Sequence, residues 1–466
     1  MAVGFLNWLL RLVILTGVLA AIAWGAWGLA LDARFRPNPP SAQLPPPQDL
    51  AQSQAQDIHV LRLFLSYDES YSAETRARAE ALLDVLKDRA GRMSRAEFEL
   101  GVAEFVALSG NSQTRADINV RAQRFNRLPV RLALFADGVF VVQAQAGRED
   151  LLGRRLLRIN DRPVADVLNQ LMRYVSGSGI AARADAVRML ESPDLLAAAQ
   201  LSGSSDGLSL TLSDAGAGEV TRWVDAVAPH ADDGNVSGLS LLAGPPLSGW
   251  TLNPVLPQGV LWAHEPQLPV FSAPLVTGVY LRLTPQDTTT FVMALNALGE
   301  KLAKQKPPFI IVDLRFATGI TEPARVFLAR LPTLIAPGAP IISLQSGALR
   351  GDAMIGLAHL KQAAGSTYIA IGEPPSEGLI FYGEGNTMCL PNSRICVRYA
   401  VARHDLTRVC TNPLDCYWPD IFAPVAVDDL EPDIAASMGF ADYLTGRDPL
   451  LERALDYLKA QGLLAP

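Results

Sequence analysis

An α/β fold built on a parallel sheet is what the chain predicts, on the strength of three apolar runs and what lies between them. Phe309-Ile310-Ile311-Val312-Asp313-Leu314-Arg315, Pro340-Ile341-Ile342-Ser343-Leu344 and Tyr368-Ile369-Ala370-Ile371-Gly372-Glu373-Pro374 lack polar alternation. Helical patterning separates them at 322–330 and at 351–361, where Met354, Leu357 and Ala358 fall at threes and fours. Strands apolar on both sides and alternating with helices belong to a parallel sheet covered on both faces. An uncharged stretch near the N-terminus adds one transmembrane helix.

In chain order, that stretch is Leu12 to Leu31, bracketed by Arg11 and Asp32. It has the length needed to cross a hydrocarbon core. Trp8, Trp24 and Trp27 lie near its ends, where amphipathic rings favour the interface. An uncleaved signal-anchor competes with a cleaved signal peptide ending near Gly28-Leu29-Ala30, and the length favours the anchor. Arg11 on one side and Arg34 and Arg36 on the other leave the orientation open. Residues 1–35 are thus a cytoplasmic tip plus anchor. Residues 36–50, with Pro37, Pro39, Pro40 and Pro45 to Pro47, are an extended linker expected to hold the folded part away from the bilayer.

Residues 51–127 read as a helical domain, with apolar positions at threes and fours over 73–86 and 94–108. Ser94 and Glu97 form a capping box for the second helix. Residues 128–225 form a β/α region: a hairpin turning at Asp137-Gly138, a strand into Asn160-Asp161, a helical stretch at 181–201 and two alternating strands over 202–224. Residues 226–275 are rich in glycine, serine, proline and aspartate and read as a loop-rich insertion. The core, 276–466, begins with a strand at 276–284 and a helix at 289–304.

With 466 residues the chain has room for two or three domains. A net charge of −7 without a basic run excludes nucleic acid as the expected partner. All four cysteines, Cys389, Cys396, Cys410 and Cys416, fall in one C-terminal stretch. Their even number beyond a membrane segment points to two disulfides in an oxidising compartment, with three pairings open. Zinc is disfavoured, because the spacings are not those of a CxxC site and only His404 lies between the pairs. No histidine spacing suits another metal, and no phosphate or dinucleotide loop is present, so neither metal nor cofactor is expected. The folded part is placed in the periplasm, below a single-pass inner-membrane anchor.

Asp313-Leu314-Arg315, Gly319 and Gly372-Glu373-Pro374, in this order around the helix at 352, resemble the C-terminal processing (tail-specific) serine peptidases and the core of tricorn protease. Leu390-Pro391-Asn392-Ser393, Pro419-Asp420, Glu431-Pro432-Asp433 and Gly446 to Leu451 extend the resemblance. It implies a crotonase-like/ClpP-like β-β-α core, a small N-terminal helical domain and a PDZ-like insertion, here without a recognisable carboxylate-binding glycine loop. The helix position that carries the nucleophilic serine in the family is Asp352, six residues before Ala358. The position of the tricorn-like histidine base, after Ser112, is Gln113. Gly319 matches the oxyanion-hole turn.

A glutamine cannot exchange a proton near neutral pH. An aspartate at a helix start is expected to serve as an N-cap, its anionic form favoured by the helix dipole, and to be a poor nucleophile. No lysine lies between Lys361 and Lys459, so the family's Ser-Lys alternative has no partner. Ser346, and beyond it Ser376, are the alternative serines. Glu377 and Glu384 read as solvated loop carboxylates or as an orienting acid, and His359 as a partly buried core residue. The expectation is a catalytically degenerate protein that binds a peptide or protein ligand. The alternative is an active serine endopeptidase with Ser346 as a displaced nucleophile.

Overall fold

The computed structural model describes residues 2–39, 44–117, 121–213, 218–229, 238–253, 256–257, 259–286, 288–317, 319, 321–412 and 416–465. The apolar N-terminal stretch is one helix, Ala2–Phe35, and its part Arg11–Phe35 is long and apolar enough to cross a membrane. The linker expected to stand the domain off begins instead on the domain surface. Gly385 N–H donates to the Phe35 carbonyl at 2.9 Å, and the Tyr399 hydroxyl donates to that of Pro37. Leu31 and Phe35 pack on Ala402, Tyr417 and Trp418.

Three helices follow, Leu50–Tyr67, Ala73–Asp88 and Arg95–Ala107, each opened by a side chain that accepts a free helix amide: Asp49, Ser72 and Ser94. The Ser94/Glu97 capping box is formed as the sequence predicts. Val130–Phe135, Gly138–Gln145, Arg155–Ile159, Gly207–Ser213 and Glu219–Asp225 make an antiparallel sheet in that order. Helices Val164–Leu171 and Gly179–Val187 belong to the same unit. The turn between its last two strands, which includes Ala215 to Ala217, lies outside the described residues.

The six-stranded central sheet runs Val270–Leu275, Gly278–Leu283, Ile310–Asp313, Ile341–Gln345, Tyr368–Gly372, Ile434–Ala435. Every neighbouring pair is parallel except the first. Strand order follows chain order, so each right-handed crossover steps the same way and lands on the same face. That face carries Thr289–Gln305, Glu322–Leu334 and Asp352–Ala364, packed on Leu281, Ile310, Val312, Ile341 and Ala370. The other face presents Tyr280, Ile311, Ile342, Leu344 and Ile371 to Leu450, Ala454 and Leu458 of the terminal helix Pro449–Ala460. Continuous apolar strands are explained by this two-sided burial.

The described residues of the stretch 226–275 include regular elements. Among them are a helix, Gly238–Ala243, and the antiparallel edge strand Val270–Leu275. Fully buried Arg282 gathers it, donating to the carbonyls of Trp262, His264 and Glu265 at 2.7–2.8 Å. The cysteines pair as Cys389–Cys396 and Cys410–Cys416. Cys389 and Cys396 face each other across the antiparallel strands Asn386–Cys389 and Cys396–Tyr399, a register that brings the first pair together.

Candidate active site

The helix Asp352–Ala364 starts beyond the C-terminal end of Ile341–Gln345, the edge at which open α/β sheets form their crevices. Gly351, not Asp352, is its N-cap, at φ 56° and ψ −130°, a conformation that side chains other than glycine rarely adopt. Asp352 is therefore the first helical residue and does not cap the helix, contrary to the sequence expectation. Its Oδ1 is buried without a hydrogen-bond partner.

Gln113 lies against this turn. A Cβ on Gly351 would come within 2.0 Å of Gln113 Nε2, so the amide rests on the backbone beside Asp352. Residues 239 positions apart in the chain, one expected at each altered catalytic place, are thus neighbours. Gln113 is buried in a loop that is itself pinned. Thr114 Oγ1 donates to Asp68 at 2.6 Å, Asn111 Nδ2 donates to Thr114 Oγ1, and Tyr382 N–H donates to Asn111 Oδ1. Burial raises the Asp68 carboxyl pKa above its ordinary value, against the lowering effect of bonds from Ser70, Thr114 and Ala400.

Glu377 is not a solvated carboxylate. It accepts from the Ser112 hydroxyl at 2.9 Å, from Ser112 N–H at 3.4 Å and from Gly351 N–H at 2.5 Å, tying the Gln113 loop to the helix start. Glu384 is not solvated either: its side chain is 18% exposed and faces Arg36 at 3.9 Å. Its carboxyl pKa is raised, by burial first and by the neighbouring Asp352 second.

On the far side of Gly383 stands a group that sequence reasoning passed over. His404 is fully buried, stacked on Phe381, with Nδ1 3.2 Å from Asp420 Oδ2. A Cβ at Gly383 would sit 3.0 Å from His404 Nε2 and 3.6 Å from Asp352 Oδ1. Both of those atoms lack a hydrogen-bond partner. The only hint in the chain is the alternation Ala402, His404, which points both inward. His359 is buried on the core helix as read, and its pKa is held down to about 4, by burial first and by Arg325 second.

Gly319 is not gathered into these contacts: the space its side chain would occupy is open. Thr318 and Ile320 lie outside the described residues. Ser346 donates its hydroxyl to the Arg315 carbonyl at 2.8 Å and accepts from Ala348 N–H. Ser376 accepts from Ala181 N–H and donates to the Gly347 carbonyl. Both serines are engaged by backbone rather than by an imidazole or an amine. Among the described residues no group of three or more His, Cys, Asp or Glu side chains could hold a metal ion.

The site thus gathers the Asp352, Glu377 and Glu384 carboxylates, the Gln113 amide and, across Gly383, the His404 imidazole. A chain-ordered sheet with helices stacked on one face, joined to a helical domain through residues 111–114 and 377, defines a mixed α/β fold of the processing-protease type. The chain aligns with mature CPAF at 14% identity and a TM-score of 0.51, covering 88% of this chain and 97% of that one. A mutant of CPAF aligns at 13% identity and 0.51, and the photosystem II D1 C-terminal processing protease at 15% and 0.37, covering 82% of this chain and 93% of that one. The likeness to CPAF, at a TM-score of 0.51, is one of fold, and at that level the resemblance drawn from Asp313-Leu314-Arg315 and Gly372-Glu373-Pro374 is borne out. No protein-family model and no curated protein sequence matches the chain.

Proposed function

We propose that the protein is a membrane-anchored, catalytically degenerate relative of the tail-specific serine peptidases, which binds a peptide or protein ligand in the cleft around Asp352. The single observation that carries this reading is the seating of Gln113 on Gly351. It supports the assignment of positions 113 and 352 to the base and nucleophile places, both now occupied by residues that cannot perform those steps. The core has the layering of a crotonase-like/ClpP-like unit, residues 128–225 act as its PDZ-like insertion, and residues 1–35 anchor it in the inner membrane. The disulfides support a periplasmic side for the fold.

The test is labelling of the full-length chain in detergent with a serine-reactive phosphonate, followed by peptide mapping. The native chain is expected to show no modified serine, and Ser346→Ala no change. The double variant Gln113→His/Asp352→Ser is expected to label at position 352, since imidazole and hydroxyl would then be neighbours. Labelling of any serine in the native chain would make it a working peptidase and overturn the reading.

A further inference from the structure

Arg325 and His404 draw Asp420 inward, at 3.3 and 3.2 Å, and the turn around it is left apolar on its outer side. That turn is Trp418-Pro419-Asp420-Ile421-Phe422. Trp418, Pro419 and Ile421 are half-buried, and Phe422 is 65% exposed. Phe422 makes an edge contact with Trp24, ring centroids 6.3 Å apart, and another with Trp418 at 5.8 Å. Trp24 belongs to the apolar helix, and the base of that helix packs on the same segment through Leu31, Phe35, Tyr417 and Trp418.

Distance along the helix turns this contact into a statement about depth. Trp24 precedes Leu31, the last residue of the uncharged stretch, by seven residues, or about 10 Å at 1.5 Å per residue. If residues 12–31 fill the hydrocarbon layer, a ring touching Trp24 is inside that layer. If Trp24 marks the interface instead, as its amphipathic ring favours, Phe422 lies at the interface. A burial depth of about 5–10 Å is that of elements lying in the boundary between headgroups and acyl chains. Either placement puts an exposed aromatic ring against lipid, with the one charge of its turn facing away.

We propose that the turn Trp418 to Phe422 is a second membrane contact, inserted into the leaflet where the helix leaves the bilayer. The partner of this surface is the boundary between lipid headgroups and acyl chains. Continuity with the span selects lipid over another protein chain: the ring that leaves the domain surface lands on a residue of the span itself. The proposal rests on reading residues 11–35 as a membrane span. It also sets the candidate site at the bilayer surface, because Arg36, next after the docked Phe35, faces Glu384 beside Asp352.

The four native cysteines are in disulfides, so Phe422→Cys in the full-length chain can be labelled selectively with the environment-sensitive fluorophore NBD. The protein is reconstituted in phosphatidylcholine/phosphatidylglycerol vesicles containing doxyl-labelled lipid. Glu80→Cys, on the exposed face of the helix Ala73–Asp88, is the reference. Quenching at position 422 at least about twofold stronger than at position 80 is expected for a ring at that depth. Equal quenching at the two positions, in a chain that floats with the vesicles, overturns the proposal and leaves the span intact. Blue-shifted but unquenched emission at 422 assigns the ring to a protein partner, such as a second copy, and overturns it too. A chain that fails to float overturns the span reading and the proposal together. Phe422→Asp is the check on folding: it should float and melt like the native chain, while amide exchange over 418–422 in vesicles rises. Unchanged exchange counts against insertion.

Discussion

Glu384, beside Asp352, and His359, farther along the core helix, are pushed in opposite directions, and each gives stability a pH dependence of known sign. The raised pKa of Glu384 means that the folded chain holds this proton more tightly than the unfolded chain. Stability from this residue is therefore fullest below the ordinary glutamate value and declines as pH rises through the folded one. Glu384→Gln removes that decline, so its melting temperature should gain on the native chain as pH rises above the ordinary glutamate range. A constant difference through that rise would show that Glu384 is not desolvated as described. His359 runs the other way. With its folded pKa near 4, it resists the proton that the unfolded chain accepts from about pH 6.5 downward, and stability falls as pH falls through that window. His359→Gln should flatten the acid limb of a plot of melting temperature against pH.

At the scale of elements, Glu377 joins two pieces of chain that no local rule connects. Its carboxylate is shared between Ser112 of the helical domain's final loop and the amide of Gly351 at the start of the core helix. Glu377→Ala leaves a partly buried hydroxyl and amide to find water, and should cost about 1–3 kcal/mol in denaturant unfolding. Glu377→Gln should recover part of that, and a loss under about 0.5 kcal/mol for alanine would mark the contact as incidental. Local elements of this kind were legible in the sequence: Ser94 with Glu97 announced a helix start, Asp137-Gly138 a hairpin, and three apolar runs a parallel sheet. The joins were not. Glu377 read as a loop carboxylate because its partner Ser112 is 265 residues away, and His404 stood out only as a histidine between cysteines because Asp420 reaches it only after the chain turns back. The helix start at 352 was misjudged for a related reason. An aspartate has a favourable N-cap composition, but the glycine before it takes the positive φ that sets the turn.

Across the whole molecule, one buried cluster decides whether the sheet's second face stays covered. Arg315, at the end of the strand Ile310–Asp313, donates to both carboxylate oxygens of Asp448 at 2.8 Å and to Asp313, whose other bond is from the Tyr280 hydroxyl at 2.6 Å. Asp448 is also the N-cap of the terminal helix, accepting from Leu451 N–H at 3.1 Å. Asp313-Leu314-Arg315 thus does structural work far along the chain. Removing Asp448 leaves the guanidinium with one carboxylate in a buried place and takes away the cap. Breaking a buried pair from one side typically costs about 3–5 kcal/mol. Asp448→Ala should therefore lower the unfolding midpoint strongly and raise amide exchange along residues 449–460 before the parallel strands open, because Leu450, Ala454 and Leu458 lose their register over Ile311 and Ile342. Asp448→Asn, which can still accept at the cap but no longer neutralises Arg315, should fall between the two chains. If helix exchange in Asp448→Ala stays native, the terminal helix is held by apolar packing alone, and the ionic cluster serves only the turn at 313–315.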